Sequence, residues 1–378
     1  MFSRSRPLLR LLAEIPADVA VVKRAFHATP SRAKAQLLDG KRISREILTE
    51  LRSEIDAWHA IGRKKPHLSV VLVGNNPASL SYVGNKLKAA KSAGITSETI
   101  RLPESISQSD LLSLLESLNT NRNVDGILVQ FPLPPHISER AVCDTVSPQK
   151  DVDGFHVESM GHLCQGKEGF YPCTPLGIME LLKRSGVDTF GKNAVVCGRS
   201  KNVGMPTAML MHADGCGDAT TTICHRHTPN KQMRAFVGLA DILITAVGQP
   251  GLITADMVRD GVVVVDVGIT RRFDSAKNAF VLKGDVDFEG VSQKASFITP
   301  VPGGVGPMTV CMLIKNTFTA ARKLRGYKER EAAEESISDY DREIRTTIRL
   351  DNAQHQQHRS GIELYDQFDQ QPHFVTNT

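Results

Sequence analysis

Three side chains of complementary chemistry fall within one short stretch, Asn75 to Lys86. Ser79, Tyr82 and Lys86 are spaced three and four apart, so on a helix a hydroxyl, a phenol and an amine share one face. Such a face can stack a flat substrate and move its protons. An apolar run, Leu68 to Val73, ends in Gly74 just before it; Pro77 lies in the intervening turn, and Ser79 is the expected N-cap. A solvated lysine beside a half-buried tyrosine is the plainer alternative.

Two further segments carry candidate groups. Gln130 closes the apolar run from Val124 and is followed by Phe131-Pro132-Leu133-Pro134-Pro135, too rich in proline to continue a helix or a ladder. It therefore stands at the carboxyl end of a strand, where open α/β sheets bind ligands. Lys150-Asp151-Val152-Asp153-Gly154-Phe155 sets two acids around one valine, which reads as a metal site or a capped turn.

The second half offers groups suited to a nucleotide. Gly198-Arg199-Ser200-Lys201-Asn202-Val203-Gly204-Met205-Pro206 follows the short apolar run Ala194 to Cys197 and leads into a helix through His212. Its glycines permit close backbone approach, and the free N–H groups of a helix start suit a pyrophosphate, although this is not a G-x-G-x-x-G fingerprint. Thr220 to Cys224 is the next strand and ends in His225-Arg226-His227. An acid at that strand end would bind a ribose 2′-hydroxyl; Arg226 suits a phosphate instead, which leans towards NADP or another bound phosphate. Gly248 and Gly268 end two further apolar runs and line the same crevice or form plain tight turns. Thr299 to Thr309 packs three glycines and three prolines into eleven residues, which predicts a rigid loop shaping a site.

The elements that must position these groups alternate. A polar-faced helix over Leu37 to Trp58 precedes the strand Leu68–Val73. A helix from Ser79 to about Ala93, a strand Glu98–Leu102, a helix Asp110–Leu118 capped by Ser107, and the strand Val124–Gln130 follow. Near-continuous apolar strands separated by helices predict a parallel sheet covered on both sides. A helix from Pro175 to Arg184 marks the domain crossing, and strands at 194–197, 220–224, 241–247 and 262–267 form a second alternating unit. Val310 to Lys323 is helical and is expected to pack back onto the first domain. The fold class is α/β, with two α/β domains flanking a cleft and the second Rossmann-like.

Composition narrows the function classes. The formal net charge of +5 divides into +4 over residues 1–33, −6 over residues 331–378 and +7 between them. That excess suits anionic small ligands, but no clustered basic stripe of the kind nucleic acid needs is present. Seven cysteines show no C-x-x-C pair, which fits free thiols in a reducing compartment. No apolar run reaches membrane-spanning length. Residues 1–33, rich in arginine and leucine with only Glu14 and Asp18 as acids, resemble a mitochondrial presequence. Residues 329–378 read as a disordered acidic tail.

Together Tyr82-Val83-x-x-Lys86, Val129-Gln130-Phe131-Pro132-Leu133-Pro134, Lys150-Asp151-Val152-Asp153-Gly154, the Gly198 turn and Pro300–Thr309 resemble the methylenetetrahydrofolate dehydrogenase/cyclohydrolase family over about residues 36–325. The Gly198–Pro206 and Gly284–Gly290 segments are similar to its bifunctional mitochondrial branch. The resemblance implies hydride transfer from 5,10-methylenetetrahydrofolate to a nicotinamide, then hydrolysis of the methenyl product to 10-formyltetrahydrofolate, in the mitochondrial matrix. It implies a folate-binding catalytic domain over 34–175, completed by a helix at 307–328, and a dinucleotide-binding domain over 176–306. A folate substrate, polyglutamylated or not, and a homodimer are implied, with no nucleic acid or membrane partner. By analogy Lys86 moves protons, Gln130 orients it, Tyr82 stacks on the folate rings, and Asp153 hydrogen-bonds the pterin while Asp151 is structural. Pro302, Gly303 and Gly304 would border the substrate. Gly198, Arg199, Ser200, Val203, Gly204, Pro206, Arg226, Gly248, Gly268, Ile269 and Thr309 would hold the cofactor. That branch uses NAD with magnesium and inorganic phosphate, for which Arg199 and Arg226 match the phosphate positions and Asp218 the vicinity of the metal; the same arginines would serve NADP directly. Two rivals are a folate- or dinucleotide-binding protein without catalysis and a dehydrogenase of small hydroxy acids; the latter lacks a matching His/Asp/Arg set.

Overall fold

A computed structural model describes residues 34–274 and 278–326. The expected presequence and acidic tail lie outside them. In chain order the elements are β1 (Gln36–Leu37), α1 (Gly40–Ala60), β2 (His67–Val73), α2 (Pro77–Ser92), β3 (Thr96–Leu102), α3 (Gln108–Thr120) and β4 (Gly126–Val129). Three helices follow, α4 (Glu139–Thr145), α5 (Val157–Cys164) and α6 (Cys173–Arg184). The second unit is β5 (Asn193–Cys197), α7 (Gly204–His212), β6 (Thr220–Cys224), α8 (Asn230–Leu239), β7 (Ile242–Thr245) and β8 (Val263–Asp266). A hairpin of β9 (Thr270–Asp274) and β10 (Ala279–Lys283), then α9 (Phe288–Val291), β11 (Phe297–Ile298) and a helix over 305–326, here α10, complete the described chain.

Both main sheets are parallel, as their buried strands require. The first is ordered β3-β2-β4 and the second β1-β11-β8-β7-β5-β6. In each, consecutive crossovers leave a central strand on opposite sides: β2 lies between β3 and β4, and β5 between β6 and β7. That reversal opens a crevice at the carboxyl ends of the strands. β1 is a departure from the expected domain division. Its two residues pair with Phe297 and Ile298 of β11, so the start of the chain forms an edge of the second sheet before α1 returns to the first lobe.

Helix boundaries follow local chemistry. α1 starts on Asp39, whose carboxylate accepts from Arg42 N–H at 3.0 Å, and Ile43, Ile47, Leu51 and Ile55 make a buried stripe at four-residue spacing. Burying each such side chain stabilises by about 1.5–3 kcal/mol before chain entropy is counted. α2 starts two residues earlier than expected: Asn76, not Ser79, is the cap, its side-chain oxygen accepting from Ala78 and Ser79 N–H, with Pro77 at the first helical position. The expected Pro/Gly loop is also shorter. It ends at Gly304, and Gly306, Pro307, Met308 and Thr309 already belong to the first turns of α10, where the missing proline N–H has no intrahelical partner to lose. α10 packs on α1 and α6, with Trp58 and Phe318 edge to face at 6.0 Å. All seven cysteines are free, and no helix among the described residues is long and apolar enough to cross a membrane.

Candidate active site

The structure brings Lys86, Gln130 and Asp153 together. Lys86 projects from the third turn of α2 and donates from Nζ to Gln130 Oε1 at 3.0 Å. Gln130 follows β4 directly; its backbone N–H continues the ladder to Val71 O, and its Nε2 donates to Phe131 O at 2.7 Å. With the amide nitrogen committed there, the amide oxygen is the group left to face Lys86. Tyr82, one turn before Lys86, is 47% exposed, so its ring is open to a flat ligand. Ser79 is not part of this open face: it is buried under the helix start.

Asp153 is the third member, on a bend that two anchors fix. Asp151 is buried and accepts from Gly154 N–H, His156 N–H and the Ser159 hydroxyl, a structural role. From behind, buried Asn316 of α10 donates to Val152 O at 2.9 Å and Tyr171 O at 3.3 Å. Burial pushes the Asp153 carboxyl up to about 6; the charge of Lys86 pulls it back down, and Asp151 raises it. Lys86, bonded to Gln130, thus also lies within electrostatic reach of Asp153. Burial likewise raises Asp151 and lifts the nearby Cys173 thiol well above its ordinary value, so Cys173 stays protonated and unreactive.

Pro302, Gly303 and Gly304 form a turn held by the start of α1. Gly303 O accepts from Lys41 N–H at 3.0 Å, and a Cβ on Gly40 would lie 1.7 Å from Gly304 O, so this turn is locked against the start of α1. Its role towards substrate stays an expectation. Thr309 shares a hydroxyl hydrogen bond with Thr174 at 2.9 Å, which leaves it tied to α6.

In the second lobe a crevice of about 630 Å³ opens at the carboxyl ends of β5, β6 and β7. Gly198, Arg199, Ser200 and Arg226 line it, with Thr228 and Gln249. Gly198 has φ 124° and no room for a side chain, since a Cβ would meet Ala246 O at 2.4 Å. Ser200 Oγ accepts from Gly204 N–H at 3.1 Å, and a Cβ at Gly204 would lie 2.3 Å from Gly198 O, so turn and helix start are one closed unit. Val203 and Pro206 begin α7 behind it. Gly248 and Gly268 are positioned by two acids that sequence reasoning did not assign. Asp285 accepts from Val247 N–H at 2.7 Å and Gly248 N–H at 3.2 Å, while Asp266 accepts from Gly268, Asp285 and Val286 N–H groups at 2.9–3.0 Å. Burial raises Asp266 to about 6 against those bonds. A signal for both was present, an acid at the buried end of an apolar strand and another after glycine. Ile269 follows Gly268 and is exposed.

Asp218 is not among the residues that line this crevice. It lies before the amino end of β6, accepts from Gly215 N–H at 3.0 Å, and has φ 48°. Arg226 lies beyond the other end of that five-residue strand, roughly 17 Å or more away at about 3.3 Å per residue. The place of Asp218 near a magnesium ion at the arginines stays an expectation. Among the described residues no group of three or more His, Cys, Asp or Glu is arranged to hold a metal ion.

Comparison with known proteins places this geometry. Residues 38–153 match the model for the tetrahydrofolate dehydrogenase/cyclohydrolase catalytic domain, and residues 172–325 that for the NAD(P)-binding domain of the same enzymes. The chain is similar to a mitochondrial bifunctional methylenetetrahydrofolate dehydrogenase/cyclohydrolase of Gallus gallus, 56% identical over 82% of this chain and 93% of that one. A mitochondrial counterpart of Homo sapiens is 49% identical over 82% and 90%. Among solved structures, a 5,10-methylenetetrahydrofolate dehydrogenase from the silkworm Bombyx mori matches with TM-score 0.74 and 49% identity, covering 77% of this chain and 99% of that one. A Trypanosoma brucei N5,N10-methylenetetrahydrofolate dehydrogenase-cyclohydrolase, complexed with NADP cofactor and inhibitor, matches with TM-score 0.73 and 37% identity over 77% and 98%.

Proposed function

The chain belongs to the tetrahydrofolate dehydrogenase/cyclohydrolase family, and we propose from that premise that Lys86, Gln130, Tyr82 and Asp153 carry both of its reactions. The activity is oxidation of 5,10-methylenetetrahydrofolate to the methenyl cation with a nicotinamide dinucleotide, followed by hydrolysis to 10-formyltetrahydrofolate, in mitochondrial one-carbon metabolism. The matrix is the compartment that fits its soluble substrates. The observation that carries the residue assignment is the 3.0 Å bond from Lys86 Nζ to Gln130 Oε1 beside Asp153.

The bound nicotinamide supplies the hydride acceptor. Hydride loss is eased by the folate's own nitrogen lone pairs, so the protein's task there is to hold the ring system in place, with Tyr82 stacking and Asp153 bonding the pterin. Hydrolysis asks more. Water adds to the bridging carbon and gives up both its protons as the formyl C=O forms, one passing to N5 as the carbon–N5 bond breaks and the other leaving to solvent. Lys86 is the group within reach to relay that proton, and Gln130 Oε1 fixes its direction. The expected result for Lys86→Ala is loss of cyclohydrolase turnover with dinucleotide affinity and folding cooperativity retained; hydrolysis at the wild-type rate would end this assignment.

Arg199 and Arg226 at neighbouring strand ends fit an anion, which two exposed guanidinium groups on one crevice wall favour. NAD with inorganic phosphate and NADP alone both supply it, and turnover with NAD, magnesium and phosphate against NADP alone separates them. Magnesium would add charge to the bound phosphate oxygens it prefers, with Asp218 as the candidate acid in its vicinity. A homodimer belongs to the same proposal. The β9–β10 hairpin supports it, presenting Phe273 and Phe280 at more than half exposure with Arg271 stacked on Phe280 at 4.3 Å.

A further inference from the structure

At the amino ends of the first sheet, opposite the catalytic cleft, lies a pocket of about 360 Å³ that neither reaction uses. Its lining carries four cations, Lys64, Arg122, Lys150 and Arg325, against one acid, Asp125. Asp125 is already engaged, accepting from His67 N–H at 2.8 Å; burial raises its pKa, and His67 N–H, Arg325 and Lys64 draw it back. The cations are differently placed. Lys150 is buried and donates to Leu118 O at 2.9 Å and Asn121 O at 2.8 Å, which fixes a positive charge in the floor. Arg122 is exposed at the rim. The Nε of Arg325 is buried and has no hydrogen-bond acceptor among the described residues, while its guanidinium lies 6.0 Å from the Trp58 ring centroid.

A buried donor without an acceptor costs about 1–3 kcal/mol, and a fixed excess of positive charge in a concave wall attracts an oxyanion. We propose that this pocket binds a small phosphoryl anion, a phosphate monoester or inorganic phosphate, with Arg325 and Arg122 as the gripping groups and Lys150 as the fixed charge beneath. The volume accommodates a sugar phosphate, and Ser147 and Gln149 of the lining suit its hydroxyls. The site is separate from the Arg199/Arg226 crevice, which lies in the other sheet. It is also linked to the cleft in sequence, because Lys150 opens the segment that ends in Asp153.

Trp58 is the sole tryptophan of the chain, and with Arg325 at 6.0 Å and Arg63 at 5.5 Å from its ring its emission responds to changes at this end of the pocket. Titrating the full chain with ribose 5-phosphate should give a saturable change in Trp58 emission. Arg325→Gln and Arg122→Gln should each weaken half-saturation by about tenfold or more, as expected on losing a charge-assisted bond, while Arg226→Gln should not. A parallel titration with inorganic phosphate identifies the source: saturation at the same concentration assigns the bare anion, and weaker saturation assigns the ester. Arg122 is exposed, so its variant carries the test even if Arg325→Gln folds poorly. The proposal is overturned by no saturable change, by a change that both pocket variants leave intact, or by one that Arg226→Gln abolishes.

Discussion

Asp153 is expected to trade stability for function, and the size of the trade can be worked from its surroundings. In the unfolded chain its carboxyl titrates near the ordinary value of 3.8, whereas in the fold burial lifts it to about 6 despite Lys86. The folded state therefore binds the proton more tightly, so ionisation opposes folding. At about 1.4 kcal/mol per unit the cost is at most about 3 kcal/mol above pH 6; it shrinks as pH falls from 6 towards 4 and disappears below the unfolded value of 3.8, where both states are protonated. Asp153→Asn removes the charge while keeping the shape. At pH 7.5 the variant should unfold at higher denaturant or a few degrees higher temperature than the parent, and the gap should close between pH 6 and pH 4. Its KM for methylenetetrahydrofolate should rise about tenfold or more with loss of a charged hydrogen bond. Unfolding midpoints of the two full chains at pH 7.5 and 4.5 check this; a variant less stable at pH 7.5, or a gap indifferent to pH, would refute the reasoning.

Other perturbations test the second lobe and the lobe contacts. Gly268→Ala places a methyl 2.3 Å from the Asp285 carboxyl, and should cost about 1–3 kcal/mol and weaken dinucleotide binding more than folate binding, as read by calorimetric titration of each. Arg226→Gln should raise the KM for NAD in the presence of phosphate and abolish any stimulation by phosphate, as read from initial rates with and without the anion. Arg184 joins α1 to α6 through paired 2.7 Å bonds to Glu50 and one of 2.6 Å to Glu180; with Glu50 half exposed, Arg184→Ala should cost only about 1 kcal/mol, and less in high salt, by denaturant midpoint.

The alternation of apolar strands and helices was legible because each run buries both faces, and β6 matches its expected limits. The Tyr82/Lys86 spacing was legible for the same reason, since helical period fixes which residues meet. Ser79 was misjudged because Asn76, three residues before it, suits a cap equally well, and only the fold shows that Asn76 caps α2 while Ser79 is covered. β1 left no signal, its two residues being too few for any periodicity. Asn316 was equally silent: its partners, the carbonyls of Val152 and Tyr171, lie more than a hundred residues away.

The placement of β1 bears on how the protein can be trimmed. Beside it, β11 is itself only two residues long and is flanked on the other side by β8. A product starting near residue 34 keeps β11 covered, whereas one starting at Gly40 strips that cover and leaves a bare ribbon of amides open to intermolecular pairing. The tolerated start point is thus set by solubility, several residues upstream of the first helix that a designer of shortened forms would otherwise choose.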